Sequence, residues 1–353
     1  MHMDYVVQPG DTMWLIARRF GVRLEDLIAA NPQIPHPDRL VPGQVVHVPV
    51  AVPPPIVRTY VPYTYEVMAE DANHLLAKYN FLQQEVAGYS VLGRELRVFR
   101  LGWGGRVAFY NASHHANEWI NSPVLMKFVE DYCAAYVAGR SLRGFDIRTL
   151  ANTASIYVMP MVNPDGVDLV INGLVPGHPF YNDLLRWNHH SYDFRGWKAN
   201  MHGVDLNLQY NAGWEEAARA GEPGPAPGGY AGPGPESEPE SHAVADFTRS
   251  HRPGLAIAYH TQGRVIYWDY KNLAPPQSEG IAWRFNYYSG YTPVGYNPAE
   301  AENAGYKDWF VLSFRRPGFT IETGLGVNPL PLSQFDEIYA ENLGILLYGA
   351  TVA

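Results

Sequence analysis

Cysteine is almost absent from this chain of 353 residues: Cys133 stands alone, which excludes an intramolecular disulfide. Its setting, Phe128 to Ala135, reads as a helix in which the thiol packs as a small hydrophobe. An excess of basic charge is also missing. The 26 Lys and Arg stand against 35 Asp and Glu, a net charge of −9, so the basic footprint of a nucleic-acid partner is absent and polyanionic substrates are disfavoured. No apolar run approaches the roughly 20 residues of a membrane span. The start, Met1-His2-Met3-Asp4, lacks the charged and apolar regions of an export signal, so a cytoplasmic location stays open. No internal repeat is visible. What is present, 46% hydrophobic and 17% charged residues, suits a globular chain of about two domains, one of them small.

Residues 4–49 form a self-contained pattern. Tyr5-Val6-Val7 reads as a short strand, and Pro9-Gly10-Asp11-Thr12 as a turn whose Asp or Thr caps the helix Met13 to Phe20. Gly21 ends that helix. A second, Leu24 to Ala30, sets Leu24, Leu27 and Ile28 on one face, and Asn31-Pro32 stops it. After a Pro-rich loop, Leu40-Val41-Pro42-Gly43-Gln44 turns into the strand Val45 to Val48, giving a βααβ unit near the lower size limit for a lone core. Along its whole length this stretch, with Gln8-Pro-Gly-Asp-Thr12, Leu27-Ile-Ala-Ala-Asn-Pro32 and Pro42-Gly-Gln44, resembles a LysM module. The resemblance implies binding of the N-acetylglucosamine-containing glycans of peptidoglycan or chitin, in a groove made by Gly10, Asp11, Thr12, Asn31, Pro32 and Ile34. Asp11 and Asn31 serve equally as helix caps, and Trp14 is expected in the core.

Residues 50–61, with Val50-Ala-Val-Pro-Pro-Pro-Ile-Val57, read as a semi-rigid Pro-rich linker. From residue 62 to 353 the pattern alternates helices with short apolar strands. The helices are Met68 to Tyr79 and one begun by Ser122-Pro123, a cap followed by proline at the first helical position. The strands are Leu96 to Arg100, Arg106 to Asn111, Ile156 to Val162, Leu255 to Tyr259, Val265 to Trp268 and Phe319 to Glu322. This alternation argues an α/β fold with a mixed sheet. Residues 220–240 hold too many Gly and Pro for a regular element and read as a long loop.

One stretch organises the second domain: Ser113-His114-His115-Ala116-Asn117-Glu118-Trp119-Ile120, just past a buried strand. A His and a Glu three apart can aim a nitrogen and a carboxylate at one point, a zinc-ligand spacing, although on a surface they form a solvated pair just as well. A catalytic zinc typically takes three protein ligands and keeps one position open. His260, at the end of the strand Leu255 to His260, is a candidate third ligand, since α/β folds place their sites at the carboxyl ends of strands. Glu322 ends another such strand; it is either a base or a buried salt-bridge partner.

Taken together, His115-x-x-Glu118-Trp-Ile, Asn163-Pro-Asp-Gly166, Trp197-Lys-Ala-Asn200, Gly203-Val-Asp-Leu-Asn207, Tyr259-His260 and Phe319-Thr-Ile-Glu322 resemble, in order, the zinc carboxypeptidases of the carboxypeptidase A type. Ser237-Glu-Pro-Glu240 and Gly305-Tyr-Lys-Asp-Trp309 bring the resemblance nearer to the bacterial γ-D-glutamyl-meso-diaminopimelate peptidases. It implies a carboxypeptidase-like mixed sheet flanked by helices. It also implies one Zn²⁺ per chain held by His115, Glu118 and His260, with Glu322 as general base and Lys198 at the position of the family's oxyanion-stabilising arginine. Asp205 matches a carboxylate that orients the first ligand histidine.

Two departures bear on the substrate. The family's exopeptidases grip a terminal carboxylate with an Asn-Arg pair; here Asn207 precedes Leu208, and another arginine position holds Asn117. Losing those guanidinium forks removes bidentate carboxylate recognition. For the family's mobile tyrosine, Tyr296 is the choice and Tyr306 the alternative. The expected activity is zinc-dependent hydrolysis of the bond between γ-D-glutamate and the diamino acid, diaminopimelate or lysine, in peptidoglycan stem peptides or muropeptides. LysM would hold the enzyme on the glycan, in a cell-wall or extracytoplasmic setting. An ordinary metallocarboxypeptidase anchored to the wall, or a glycan-binding protein without activity, are the competing readings.

Overall fold

The computed structural model describes residues 2–49, 55–297 and 303–353. In the N-terminal unit, β1 (His2–Val6) pairs antiparallel with β2 (Val45–Pro49), and α1 (Met13–Arg19) and α2 (Leu24–Ala29) lie between them in sequence. The Thr12 hydroxyl, rather than Asp11, caps α1 by accepting the Leu15 N–H. Tyr5, Val7, Met13, Ile16, Leu27, Val46 and Val48 form the core. Trp14 does not join them. It is 54% exposed with the Arg18 guanidinium over its ring, because Met13, Ile16 and Ala17 fill the inward side of α1 and Trp14 falls on the other.

Of the expected linker, residues 50–54 lie outside the described residues. The remainder is packed on both sides. The Ile56 and Val57 N–H groups donate to the Glu130 carboxylate, Arg58 pairs with Asp71 at 2.7 Å, and the Tyr60 ring meets Tyr5 and Phe20 edge-on. Further on, Arg19 lies 3.7 Å from Asp336, and a Cβ on Gly10 would come within 2.9 Å of Ser333. The small unit is therefore docked on the large one through Tyr5 of β1, Gly10 of the β1–α1 loop and the C-terminal end of α1 at Arg19 and Phe20.

The large unit is built on an eight-stranded sheet in the order β11-β10-β12-β9-β5-β8-β4-β3. Its strands are β3 (Gln83–Tyr89), β4 (Glu95–Leu101), β5 (Arg106–Ala112), β8 (Ala154–Met159), β9 (Leu255–Thr261), β10 (Val265–Tyr267), β11 (Thr292–Val294) and β12 (Gly318–Thr323), while β6 (Ser141–Leu142) and β7 (Phe145–Asp146) form a separate hairpin. The central four, β12-β9-β5-β8, are parallel, and antiparallel pairing at β4 and β10 makes the sheet mixed. Every residue of β8 and β9 is buried, which is why they read as unbroken apolar runs rather than alternating ones. Tyr110 and Ile257 face a layer containing helices Asn121–Ala138 and Phe335–Val352; Phe109 and Ala258 face the layer of Pro239–His251 and Tyr306–Phe314.

Three expectations shift. Edge strands β3 and β11 had no apolar signature, the first because it is largely exposed and the second because it spans three residues. The helix expected to start at a Ser122 cap begins at Asn121, and the Ser122 hydroxyl instead bonds that of Ser113 at 2.8 Å. The long loop ends at Glu238, since Pro239 opens a helix as its first residue.

Asn163 ties these elements together at the end of the sheet. Its carbonyl oxygen caps the Gly166 N–H and its amide donates to the His114 and Ala199 carbonyls. A Cβ at Gly166 would sit 2.6 Å from Asn163 Oδ1 and 2.8 Å from both Ala116 Cβ and the Ala199 carbonyl. Gly166→Ala should therefore cost about 1–3 kcal/mol by overpacking and lower Tm by several degrees in calorimetry; an unchanged Tm would mean that this corner yields freely.

Glu240, fully buried, accepts from the Val91 N–H and the Asn200 amide, and burial with nearby Asp165 pushes its pKa up to about 7. With a folded pKa above the unfolded one, the native state holds an extra proton between about pH 4.5 and 7, so this group's contribution to stability falls as pH rises through that window. The destabilisation caused by Glu240→Gln is accordingly expected to be smaller at pH 8 than at pH 5. Denaturant melts at the two pH values measure it, and a penalty independent of pH would show the carboxyl to be ionised throughout.

Candidate metal and catalytic site

The site forms where the carboxyl ends of β5, β9 and β12 emerge. After β5 the chain bends at Ser113, whose φ of 60° lies in the left-handed region that non-glycine residues rarely adopt. A single 3-10 turn, Ala116–Glu118, follows and turns Glu118 back toward His115. His115 Nδ1 lies 2.9 Å from Glu118 Oε1, His260 Nδ1 lies 2.9 Å from Glu118 Oε2, and the two imidazole nitrogens are 3.3 Å apart. Ligands bound to zinc at 2.0–2.1 Å in a tetrahedron stand about 3.3 Å from one another, so the donor set fits that ion. All three side chains are buried.

The surroundings complete the fit. His115 Nε2 faces Asp205 Oδ1 at 3.1 Å, leaving Nδ1 to point at the shared centre, while the other Asp205 oxygen accepts the Gly229 N–H. Burial opposes charge on these carboxyls, yet His115 and His260 hold Glu118 far below the usual carboxylate range. His115, the Gly229 N–H and Lys198 do the same for Asp205. Burial likewise opposes a charge on His115, but Glu118 and Asp205 outweigh it and raise its pKa well above that of free histidine. Two buried anions around imidazoles constitute a demand for a cation. His114, by contrast, is held neutral by burial and by its histidine neighbours, and bonds the Tyr210 hydroxyl at 2.8 Å, a role in the core. A second grouping, His2, Asp4 and His47, lies across strands β1 and β2, with His2 and Asp4 exposed and His47 half-buried.

Glu322 pairs in register with His260 across the parallel β12–β9 ladder, so both side chains leave the same face of the sheet. It lines a cavity of about 210 Å³ together with Asn207, Tyr296, Lys307 and Asp308. Lys198 lines an adjoining cleft with His115, Asp205 and Leu208, and Asn207 borders both spaces. The Asn207 side-chain oxygen accepts the Tyr306 N–H. Of the two tyrosines, Tyr296 lies at the cavity, edge-on to Tyr270; Tyr306 is buried with its hydroxyl bonded to Thr248. Asn117 is buried and Leu208 lines the cleft.

The six groove residues of the small unit divide. Gly10, Thr12 and Pro32 are exposed. The Asp11 carboxylate is spent on Tyr5, the Gln8 N–H and Arg19; Asn31 bridges Leu27 to the His47 backbone; Ile34 lies in the core. These three side chains are buried and hold the module together.

Sequence reasoning assigned no role to several polar residues that shape the site. Asn200 donates to Glu238 and Glu240, and Gln209 gathers Ser237, Ser241 and the Glu238 N–H, so the long Gly/Pro loop is pinned against the cleft. Lys307 and Asp308 line the cavity beside Glu322. The motifs Trp197–Asn200, Ser237–Glu240 and Gly305–Trp309 carried a signal for all of these but Gln209 and Ser241.

Comparison with known proteins agrees with this arrangement. Residues 68–344 match the zinc carboxypeptidase family and residues 5–49 the LysM domain. The chain is 44% identical to gamma-D-glutamyl-L-diamino acid endopeptidase 1 of Lysinibacillus sphaericus, with 98% of this chain and 99% of that protein covered. It is 37% identical to an uncharacterized protein of Bacillus subtilis over 80% of this chain and 76% of the other. Bovine thrombin-activatable fibrinolysis inhibitor, solved with a tick carboxypeptidase inhibitor, shares the fold with a TM-score of 0.64 at 21% identity, covering 82% of this chain and 96% of that one. No helix among the described residues is long and apolar enough to cross a membrane. With its sheet, its buried His-Glu-His set and a family match across most of its length, the chain belongs to the zinc carboxypeptidase family and carries an N-terminal LysM domain.

Proposed function

We propose that this protein is a peptidoglycan hydrolase that cuts the γ-D-glutamyl–diamino acid bond of stem peptides, and that its LysM domain keeps it on the glycan at the cell wall. The observation that carries the reading is the buried His115-Glu118-His260 set beside Glu322, in a site where Asn117 and Leu208 stand at the positions of the exopeptidases' arginines. The name of the Lysinibacillus relative supports it. His115, Glu118 and His260 would hold one zinc ion, with Asp205 fixing the His115 ring. When bound, that ion supplies Lewis-acid polarisation and acidifies water.

The remaining chemistry belongs to the chain. Glu322 accepts a proton from the attacking water and returns it to the leaving amine of the diamino acid. Lys198 offers a cation to the oxygen of the scissile carbonyl as negative charge develops there. Asn207 and Tyr296 border the cavity into which the residue after the scissile bond fits. Without a guanidinium fork the site makes no bidentate grip on a chain terminus, which favours an internal γ-linked bond over trimming of ordinary C-terminal residues. On LysM, the exposed Gly10, Thr12 and Pro32 supply the glycan-facing surface.

Digestion of L-Ala-γ-D-Glu-diamino acid peptides, followed by mass spectrometry, should reveal scission after D-glutamate that a zinc chelator abolishes; faster release of ordinary C-terminal residues would instead favour a wall-anchored carboxypeptidase. Glu322→Gln should retain zinc while turnover drops by about 10²–10⁴-fold, and a variant that binds zinc and turns over normally would remove Glu322 from the proton-transfer role.

A further inference from the structure

The outward face of the two-stranded sheet in the LysM domain gathers two imidazoles and a carboxylate that neither glycan binding nor peptide hydrolysis uses. Residues on a strand alternate between faces. Met3, Tyr5, Val46 and Val48 turn into the small core, so His2 and Asp4 on β1 and His47 on β2 project together from the other side. Asp4 stands directly across from His47. The His47 N–H and carbonyl are bonded to the Asn31 side chain at 2.7 and 2.6 Å rather than to β1. Asp4 and His47 are therefore a non-hydrogen-bonded cross-strand pair, the kind in which side chains come closest.

His47 Nδ1 lies 2.7 Å from Asp4 Oδ1, His2 Nε2 lies 3.7 Å from the same oxygen, and the two imidazole centroids are 4.7 Å apart. One donor atom from each of the three falls within 4.8 Å of the others. Donors around a tetrahedral zinc ion are spaced by about 3.3 Å. The two distances to the Asp4 oxygen bracket that value, and the exposed His2 and Asp4 side chains can rotate to meet it. Two imidazoles with one carboxylate are donor types that suit zinc. A hydrogen bond between His47 and Asp4 satisfies those two groups alone; His2 brings a third donor to the same oxygen.

The domain also has a use for such a staple. With fewer than 50 residues it is near the size at which a core alone is marginal, and a bound metal is one means by which small units gain stability. His2 pairs in register with Pro49 at the end of β2, so an ion here would tie the first strand to the last where the chain leaves for the large unit.

We infer that His2, Asp4 and His47 form a second zinc site, separate from the His115-Glu118-His260 centre, that clamps β1 to β2. Water completes the coordination. The ion holds two strands together and takes no part in peptide hydrolysis.

The test uses the full-length protein already carrying one zinc ion, titrated with zinc chloride in a calorimeter. One further ion per chain should bind. At free zinc ten times its dissociation constant, hydrogen exchange of the β1 and β2 amides should slow about tenfold, by mass action on the closed form. Asp4→Asn and His47→Ala should each abolish the second binding event and leave the first ion in place; His2→Ala, at the exposed start of β1, should weaken it with the least disturbance of the fold. In the unsubstituted protein the imidazole NMR signals of His2 and His47 should shift together over the same zinc range, a measurement that does not depend on the variants folding. A second ion that persists in all three variants, or that binds without moving those signals or slowing exchange in β1 and β2, sits elsewhere and overturns the site. So does the lack of a second binding event up to about 1 mM zinc.

Discussion

The parallel pairing of β12 with β9 is the constraint on which the site depends. It sets Glu322 beside His260 and sends both side chains out of one face, while Ile321 and Tyr259 go into the opposite layer. Side chains on a strand alternate, so a slip of one residue would send Glu322 into that apolar layer and Ile321 into the cleft. What holds the register is burial: Phe319 and Ile321 on one strand and Ile257 and Tyr259 on the other are fully buried. Each such side chain contributes about 1.5–3 kcal/mol, far more than the pairing of two polar groups at the rim. The geometry of the site is thus inherited from an apolar core.

That core supports a site that opposes stability. Glu118, Asp205 and His115 are buried together beside His260, and desolvation works against the charges on the first three. Mutual pairing offsets the cost only in part, and such arrangements persist where function requires them. The surrounding polar network has a different task. Asn163 and Gln209 bond backbone atoms of neighbouring segments and Asn200 donates to the Glu238 and Glu240 carboxylates, so the segments bearing His115, Lys198 and Asp205 are fixed relative to each other. The backbone bond from the Ala116 N–H to the Lys198 carbonyl makes that coupling direct. Rigid support of this kind gives a site the precision that side-chain charges alone cannot.

The LysM domain is joined to the enzyme by more than covalent tethering. Tyr60 inserts against Tyr5 and Phe20, and the Arg19 guanidinium is enclosed between Asp11 and Asp336. A unit of fewer than 50 residues has little core of its own, and this contact adds apolar burial to it. Arg19 and Asp11 also explain why the β1–α1 loop keeps its shape: the carboxylate is bonded inward to Tyr5, the Gln8 N–H and Arg19.

The sequence by itself determined the class of the fold, the βααβ module, the central parallel strands and the residues of the His-Glu-His set. Core strands and the His115-x-x-Glu118 pair are local signals, an apolar run or a short fixed spacing, and survive without knowledge of neighbours. Trp14 was misjudged because which side of α1 is inward depends on what packs there, and the weak edge strands β3 and β11 exist only because a sheet already stands beside them. The tertiary structure alone decided that Tyr306 belongs to the core and Tyr296 to the cavity, that Glu238 and Glu240 serve the loop, and that Lys307 and Asp308 turn toward Glu322. Those roles rest on contacts between residues up to about a hundred positions apart, and the charge that a side chain carries says nothing of where the fold will aim it.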